Sequence, residues 1–125
     1  MKNVKILLSA ALVFVGATAL AQDFSAPQYE KWGDTPQERE QNILNSNFLK
    51  ESCDNRDYNA AAHYLNELIN SVPTASVSFY QRGAVIYKNK INRAKSVAEK
   101  NTYIDSLMLM YDLRAKYFGD HPKQG

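Results

Sequence analysis

Between Ile43 and Phe118, apolar residues return every three or four positions, the spacing of helices with one buried face. Nowhere do they alternate over a stretch long enough for a strand. The clearest stripe is Tyr58, Ala61, Ala62, Leu65, Leu68, Ile69 and Val72, with Asp57 as N-cap and Pro73 where the chain must leave the helix. A shorter stripe of Ile43, Leu44, Phe48 and Leu49 predicts a preceding helix over 36–53. Its start is marked by Thr35-Pro36-Gln37-Glu38, a capping box with proline at the first helical position. In that box Thr35 accepts from a first-turn N–H, and Glu38 reaches back to the Thr35 N–H. Asp54-Asn55-Arg56-Asp57 is the polar break between the two helices.

Two further helices follow. Phe79, Tyr80, Gly83, Ala84, Tyr87 and Ile91 share one broad face and predict a helix over 76–91. Gly83 costs about 1 kcal/mol relative to alanine in a helix interior, so its presence calls for the close approach of a neighbour. Ser96-Val97-Ala98-Glu99 is a second capping box, opening a helix that runs to Phe118, with Gly119 and Pro122 as its stop. This last helix is apolar on more than one side. Ile104, Leu107, Met108, Tyr111 and Phe118 form one stripe, which Leu109, Met110 and Leu113 widen. A helix patterned in this way is covered on two sides. The expected fold is all-α, with four helices in two antiparallel hairpins spanning 35–119. Residues 22–34 are expected to form an extended leader from which Trp32 docks on the first helix, and 120–125 a tail.

The chain's start has a different pattern. Lys2 and Lys5 precede an apolar run from Ile6 to Val15, and Ala19 and Ala21 stand in the A-x-A arrangement of a signal-peptidase site. The run is short for a membrane span, which takes about 20 residues. Residues 1–21 therefore read as a signal peptide cleaved after Ala21, giving a periplasmic or secreted protein with no transmembrane anchor in the mature chain. Loss of Lys2 and Lys5 leaves 13 basic and 13 acidic residues. The charge is uneven: residues 22–81 carry four basic and nine acidic groups, whereas 82–100 carry six basic groups and only Glu99 as acid. That basic segment is either a solvated helix end and loop or a site for an acidic partner. Nucleic acid is not an expected partner of an exported chain. Cys53, the single cysteine, excludes an internal disulfide. It reads as a small buried hydrophobe or as one half of an intermolecular bridge.

Several of these residues carry a family resemblance. Asp57-Tyr58-Asn59-Ala60-Ala61, Tyr64-Leu65, Leu68-Ile69, Pro73, Phe79 and Gly83 together resemble the junction between two tetratricopeptide repeats. Ala61 and Gly83 stand at the small positions where paired helices touch, and Phe79 at the bulky one. The match covers about 30 residues. Asn45 and Leu49 depart from the pattern. So does the distance from Pro73 to Pro122, 49 residues against the repeat's usual 34, which implies an extended turn over 88–96. Trp32-Gly33-Asp34-Thr35-Pro36 is also similar to the lead-in of exported helical-repeat proteins of Bacteroidota. The expected fold is thus a tetratricopeptide-like solenoid fragment. Two hairpins are fewer than such arrays need, so the second apolar face near Leu109 and Leu113 predicts either self-association through the last helix or an N-terminal piece of a longer protein.

No catalytic arrangement is legible. The G-x-S-x-G, H-E-x-x-H and phosphate-loop patterns are absent from the sequence. His63 is placed off the apolar stripe, facing solvent. Asp120-His121 lacks a nucleophile, and Asp54 and Asp57 read as turn and capping groups. Asp105-Ser106-Leu107 matches a short O-glycosylation acceptor pattern known in Bacteroidota. The chain is accordingly expected to be no enzyme, with no cofactor and no metal, and to act as a scaffold for another protein. In the resembled family the first helix of each hairpin lines a groove. Carried over, this implies Ser46, Lys50, Tyr80, Ala84 and Tyr87 as groove residues, with Tyr80 and Tyr87 open to a core reading as well. The alternatives are a glycan- or ligand-binding accessory module, supported by eight Tyr, five Phe and one Trp, or a helper domain of a longer enzyme.

Overall fold

The computed structural model describes residues 23–119. The predicted signal peptide and the tail with Asp120 and His121 lie outside the described residues. The elements are a 3₁₀ helix, Pro27–Trp32, followed by α1 (Pro36–Asp54), α2 (Tyr58–Ser71), α3 (Ser78–Arg93) and α4 (Val97–Phe118). The fold is all-helical, with the four long helices where the apolar stripes predict them.

Both capping boxes form. The Thr35 hydroxyl accepts from the Glu38 N–H at 3.2 Å, and Ser96 accepts from Glu99 at 3.0 Å. The reciprocal bonds reach one residue further back than expected. Glu38 accepts from the Asp34 N–H and Glu99 from the Lys95 N–H, both at 3.0 Å. Asp57 caps α2 by accepting from the Ala60 N–H at 3.2 Å. Each such cap is worth about 1 kcal/mol.

Three expectations need correction. The leader is not extended: Pro27 starts a 3₁₀ helix that is tied down by side chains from α1. Arg39 donates to the carbonyls of Gly33 and Phe24 at 2.8 and 2.9 Å. Buried Asn42 donates to the Trp32 carbonyl at 2.9 Å and to the Ser71 hydroxyl at 3.0 Å. The Trp32 ring meets Phe79 of α3 edge-on, with centroids 5.9 Å apart, rather than docking on α1 alone. Next, α3 begins two residues late, because Ser76 accepts from the Ser78 N–H and Ala75 donates to Val72 in a turn after Pro73. Last, there is no extended turn over 88–96. Helix α3 continues to Arg93 and only residues 94–96 join it to α4. The long second hairpin comes from long helices, so most of the basic segment is helical.

Helix α1 packs on α2 and α3 on α4; α2 lies against α3, and α1 also touches α3. Helix α3 is therefore the most enclosed element, burying Phe79, Tyr80, Gly83, Ala84, Ile86 and Tyr87. Leu49 of α1, Ala61, Leu65 and Leu68 of α2, and Met110 of α4 complete the core. Each fully buried large apolar side chain here contributes about 1.5–3 kcal/mol. Gly83 is the point of closest approach. A Cβ there would lie 2.5 Å from the Met110 sulfur and 3.1 Å from Leu65 Cδ2.

Candidate functional site

The five residues of the expected groove do not form one surface. Tyr80 and Tyr87 are 1% and 8% exposed, and Ala84 is buried beside them. All three lie inside the second hairpin, because α4 covers the face of α3 that the resemblance would leave open. The Tyr80 hydroxyl donates to the Pro73 carbonyl at 2.6 Å. Its ring packs near Tyr117 and Phe118, at centroid distances of 6.3 and 6.1 Å. Tyr87 sits 6.5 Å from Tyr103 of α4. Burial, reinforced by Tyr117, pushes the Tyr80 phenol up to about 12. Burial also raises that of Tyr87. These tyrosines are core residues. Ser46 is half-buried on α1, and exposed Lys50 is paired with Asp54 one turn on, at 2.9 Å.

The remaining chemistry-bearing residues are dispersed. His63 faces solvent, edge-on to Tyr64. Cys53 is half-buried and its thiol is pushed up by burial, with Arg82 partly opposing the rise. Such a thiol is a poor nucleophile. Ser106 lies in the middle of α4, half-buried, and its hydroxyl donates to the Thr102 carbonyl at 3.2 Å, so it is not presented on a loop. Among the described residues no three His, Cys, Asp or Glu side chains gather as a metal site.

Two surfaces stand out instead. On α4, Val97, Ile104, Met108 and Tyr111 follow one another at helical spacing along a face that reaches the α3 edge at Tyr111, and all are exposed, Met108 by 51%. Leu109, 50% exposed, flanks them on the opposite edge of the buried stripe. Where α3 meets α4, Val85, 48% exposed, and Tyr111 border a shallow groove of about 220 Å³. The second surface is a polar cleft of about 280 Å³ at the end of the bundle where the α1–α2 and α3–α4 loops lie. Its walls include Arg56, Tyr58, Asn59, Lys90, Arg93 and Tyr103, with the acids Asp57 and Glu99. Sequence reasoning noted the basic segment holding Lys90 and Arg93. It had no means of bringing Arg56 and the two tyrosines to the same place, since they come from three other elements.

No family model, no curated protein and no solved structure matches the chain. Among the described residues no helix is long and apolar enough to cross a membrane.

Proposed function

We propose that this protein is an exported helical-repeat scaffold that binds another protein through the outer face of α4. The observation that carries this reading is the row of exposed apolar side chains, Ile104, Met108 and Tyr111, extended across the hairpin by Val85. A contiguous apolar patch on a small domain marks an interaction site more often than a scattered one. The repeat character is supported by the order of packing. Successive hairpins lie side by side, with α1 against α3, and the small residues Ala61 and Gly83 sit buried in the seams between helices. Helix ends in such arrays bury their outer faces against a following unit, and α4 offers that face. Export rests on the signal-peptide pattern of residues 1–21.

The experiment is site-specific photocrosslinking in the native host. A photoreactive residue in place of Met108 should give a discrete adduct, and one in place of exposed Glu67, on α2, should not. The Ile104→Asp and Tyr111→Asp changes should each abolish the Met108 adduct while far-ultraviolet circular dichroism stays unchanged. An adduct of twice the chain's mass identifies self-association, and any other mass a distinct partner. Equal labelling at both positions, or none at Met108, refutes the reading.

A further inference from the structure

We propose that the cleft between Arg56, Lys90 and Arg93 is a binding site for a carboxylate borne by a peptide. It is separate from the apolar face of α4 and does not depend on it. Three cationic side chains from two regions of the chain, the α1–α2 loop and the last turn of α3, converge on one cavity. Among the described residues the guanidinium groups of Arg56 and Arg93 make no hydrogen bond or ion pair, so their donors are open to a ligand. Lys90 is already positioned: its ammonium donates to Asn59 Oδ1 at 2.6 Å and stands 5.3 Å over the Tyr103 ring. That leaves two of its three donors available.

The two acids in the walls offset part of this charge but, among the described residues, form no ion pair with the cations. Asp57 Oδ1 accepts from the Ala60 N–H and Glu99 Oε1 from the Lys95 N–H, so each is engaged as a helix cap. The charge of the cleft is then +1, from Arg56, Lys90 and Arg93 against Asp57 and Glu99. A single negative charge complements it. A dianion such as phosphate would be left in excess beside Asp57 and Glu99. Guanidinium forks match the planar geometry of a carboxylate. The cleft is open on one side and of side-chain size, which suits a group carried on a longer chain. The rings of Tyr58 and Tyr103 offer apolar walls for the methylenes beside it.

The test is nuclear magnetic resonance titration of the ¹⁵N-labelled full-length chain with three probes: acetyl-Gly-Glu-Gly-amide, its Gln counterpart, and inorganic phosphate. The Glu peptide should move the amides of Arg56, Asn59, Lys90 and Tyr103 saturably, and the Gln peptide should not. Raising the salt concentration should weaken the interaction, since the charges are near the surface. Arg93→Gln should weaken it about tenfold, the scale of one lost charged hydrogen-bonded contact. Arg56→Gly separates binding from folding. Arg56 has φ 60°, a conformation that glycine adopts freely, so the variant should keep or raise Tm while also binding about tenfold more weakly. Equal shifts with the Gln peptide, tighter binding of phosphate, or wild-type affinity in both variants overturns the proposal. Met108→Asp should leave the titration unchanged, so failure here and failure of the scaffold reading are distinguishable.

Discussion

Gly83→Ala tests whether the core is organised by the close approach of α2 and α4 on α3. Two effects oppose each other. Alanine removes the intrinsic helix penalty of glycine, a gain of about 1 kcal/mol. Its methyl must also occupy a point 2.5 Å from the Met110 sulfur, 2.9 Å from Met110 Cγ and 3.1 Å from Leu65 Cδ2. Met110 is flexible, but it is buried, and Leu65 closes the other side. Overpacking of this kind costs about 1–3 kcal/mol. The steric effect wins, with a net loss of about 1 kcal/mol, or about 5 °C in Tm for a domain of this size. The assay is urea unfolding followed by circular dichroism on Gly83→Ala, Met110→Ala and the double variant. Met110→Ala alone should cost about 2–4 kcal/mol. In its background Gly83→Ala should become neutral or stabilising, giving a coupling energy of about 1–2 kcal/mol. A rise in stability for Gly83→Ala alone, or a coupling within about 0.3 kcal/mol of zero, would refute the argument that the glycine is there for helix approach.

Asn42→Ala should destabilise by about 1–3 kcal/mol, because it leaves the Trp32 carbonyl and the Ser71 hydroxyl without their shared partner. Trp32 is the chain's single tryptophan, so its fluorescence should shift toward that of a solvated indole before the helices melt. Ser96→Ala removes the cap of α4 and should cost about 1 kcal/mol, read as a lower urea midpoint with unchanged m-value. Stability should also fall in strong alkali. The folded pKa of Tyr80 lies above its ordinary value of 10, so the fold favours the neutral phenol. Its contribution is intact below pH 10 and lost as pH rises toward about 12, with Tyr87 acting in the same direction. Tyr80→Phe should flatten that alkaline limb of a Tm-versus-pH curve; an unchanged limb would sink the assignment.

Three of the four long helices were legible because local signals agreed there, whereas α3, which has no side-chain cap, was marked by its apolar face alone. Apolar spacing, a capping residue and a stop residue coincide at Thr35 and Asp54, at Asp57 and Pro73, and at Ser96 and Gly119. What was not legible depended on which helix face meets which neighbour. Tyr80 and Tyr87 have the same spacing whether they line a groove or a core. Only the placement of α4 over α3 decides between the two, and that placement is a long-range contact. Ile86 shows the same limit. It lies beside the predicted stripe yet is fully buried, because α3 is enclosed on more than one side. Conversely Leu44 and Phe48 belong to the α1 stripe but lean outward, Phe48 resting against Tyr64. The 3₁₀ helix escaped prediction for a different reason. It has no buried residues of its own and is held by hydrogen bonds from Arg39 and Asn42, which no periodicity announces.

The two sides of the stack are finished differently, and this asymmetry bears on function. The N-terminal hairpin is closed by its own leader, whose backbone carbonyls take the polar groups of Arg39 and Asn42 and whose Trp32 ring caps the edge of Phe79. Helix α4 has no such cover among the described residues. Its outward side shows Ile104, Met108 and Tyr111, whereas α3 beneath it buries six residues. Exposed apolar area of this kind weakens solubility and stabilises nothing in the isolated fold, so its concentration on α4, with five such residues against Leu44 and Phe48 on α1, is hard to explain by stability. A surface kept apolar where it could be polar at little cost to the core is better explained by contact. Under the proposed scaffold role the leader and α4 would play opposite parts: one covers the ends of α1 and α3, and the other offers its face to a partner.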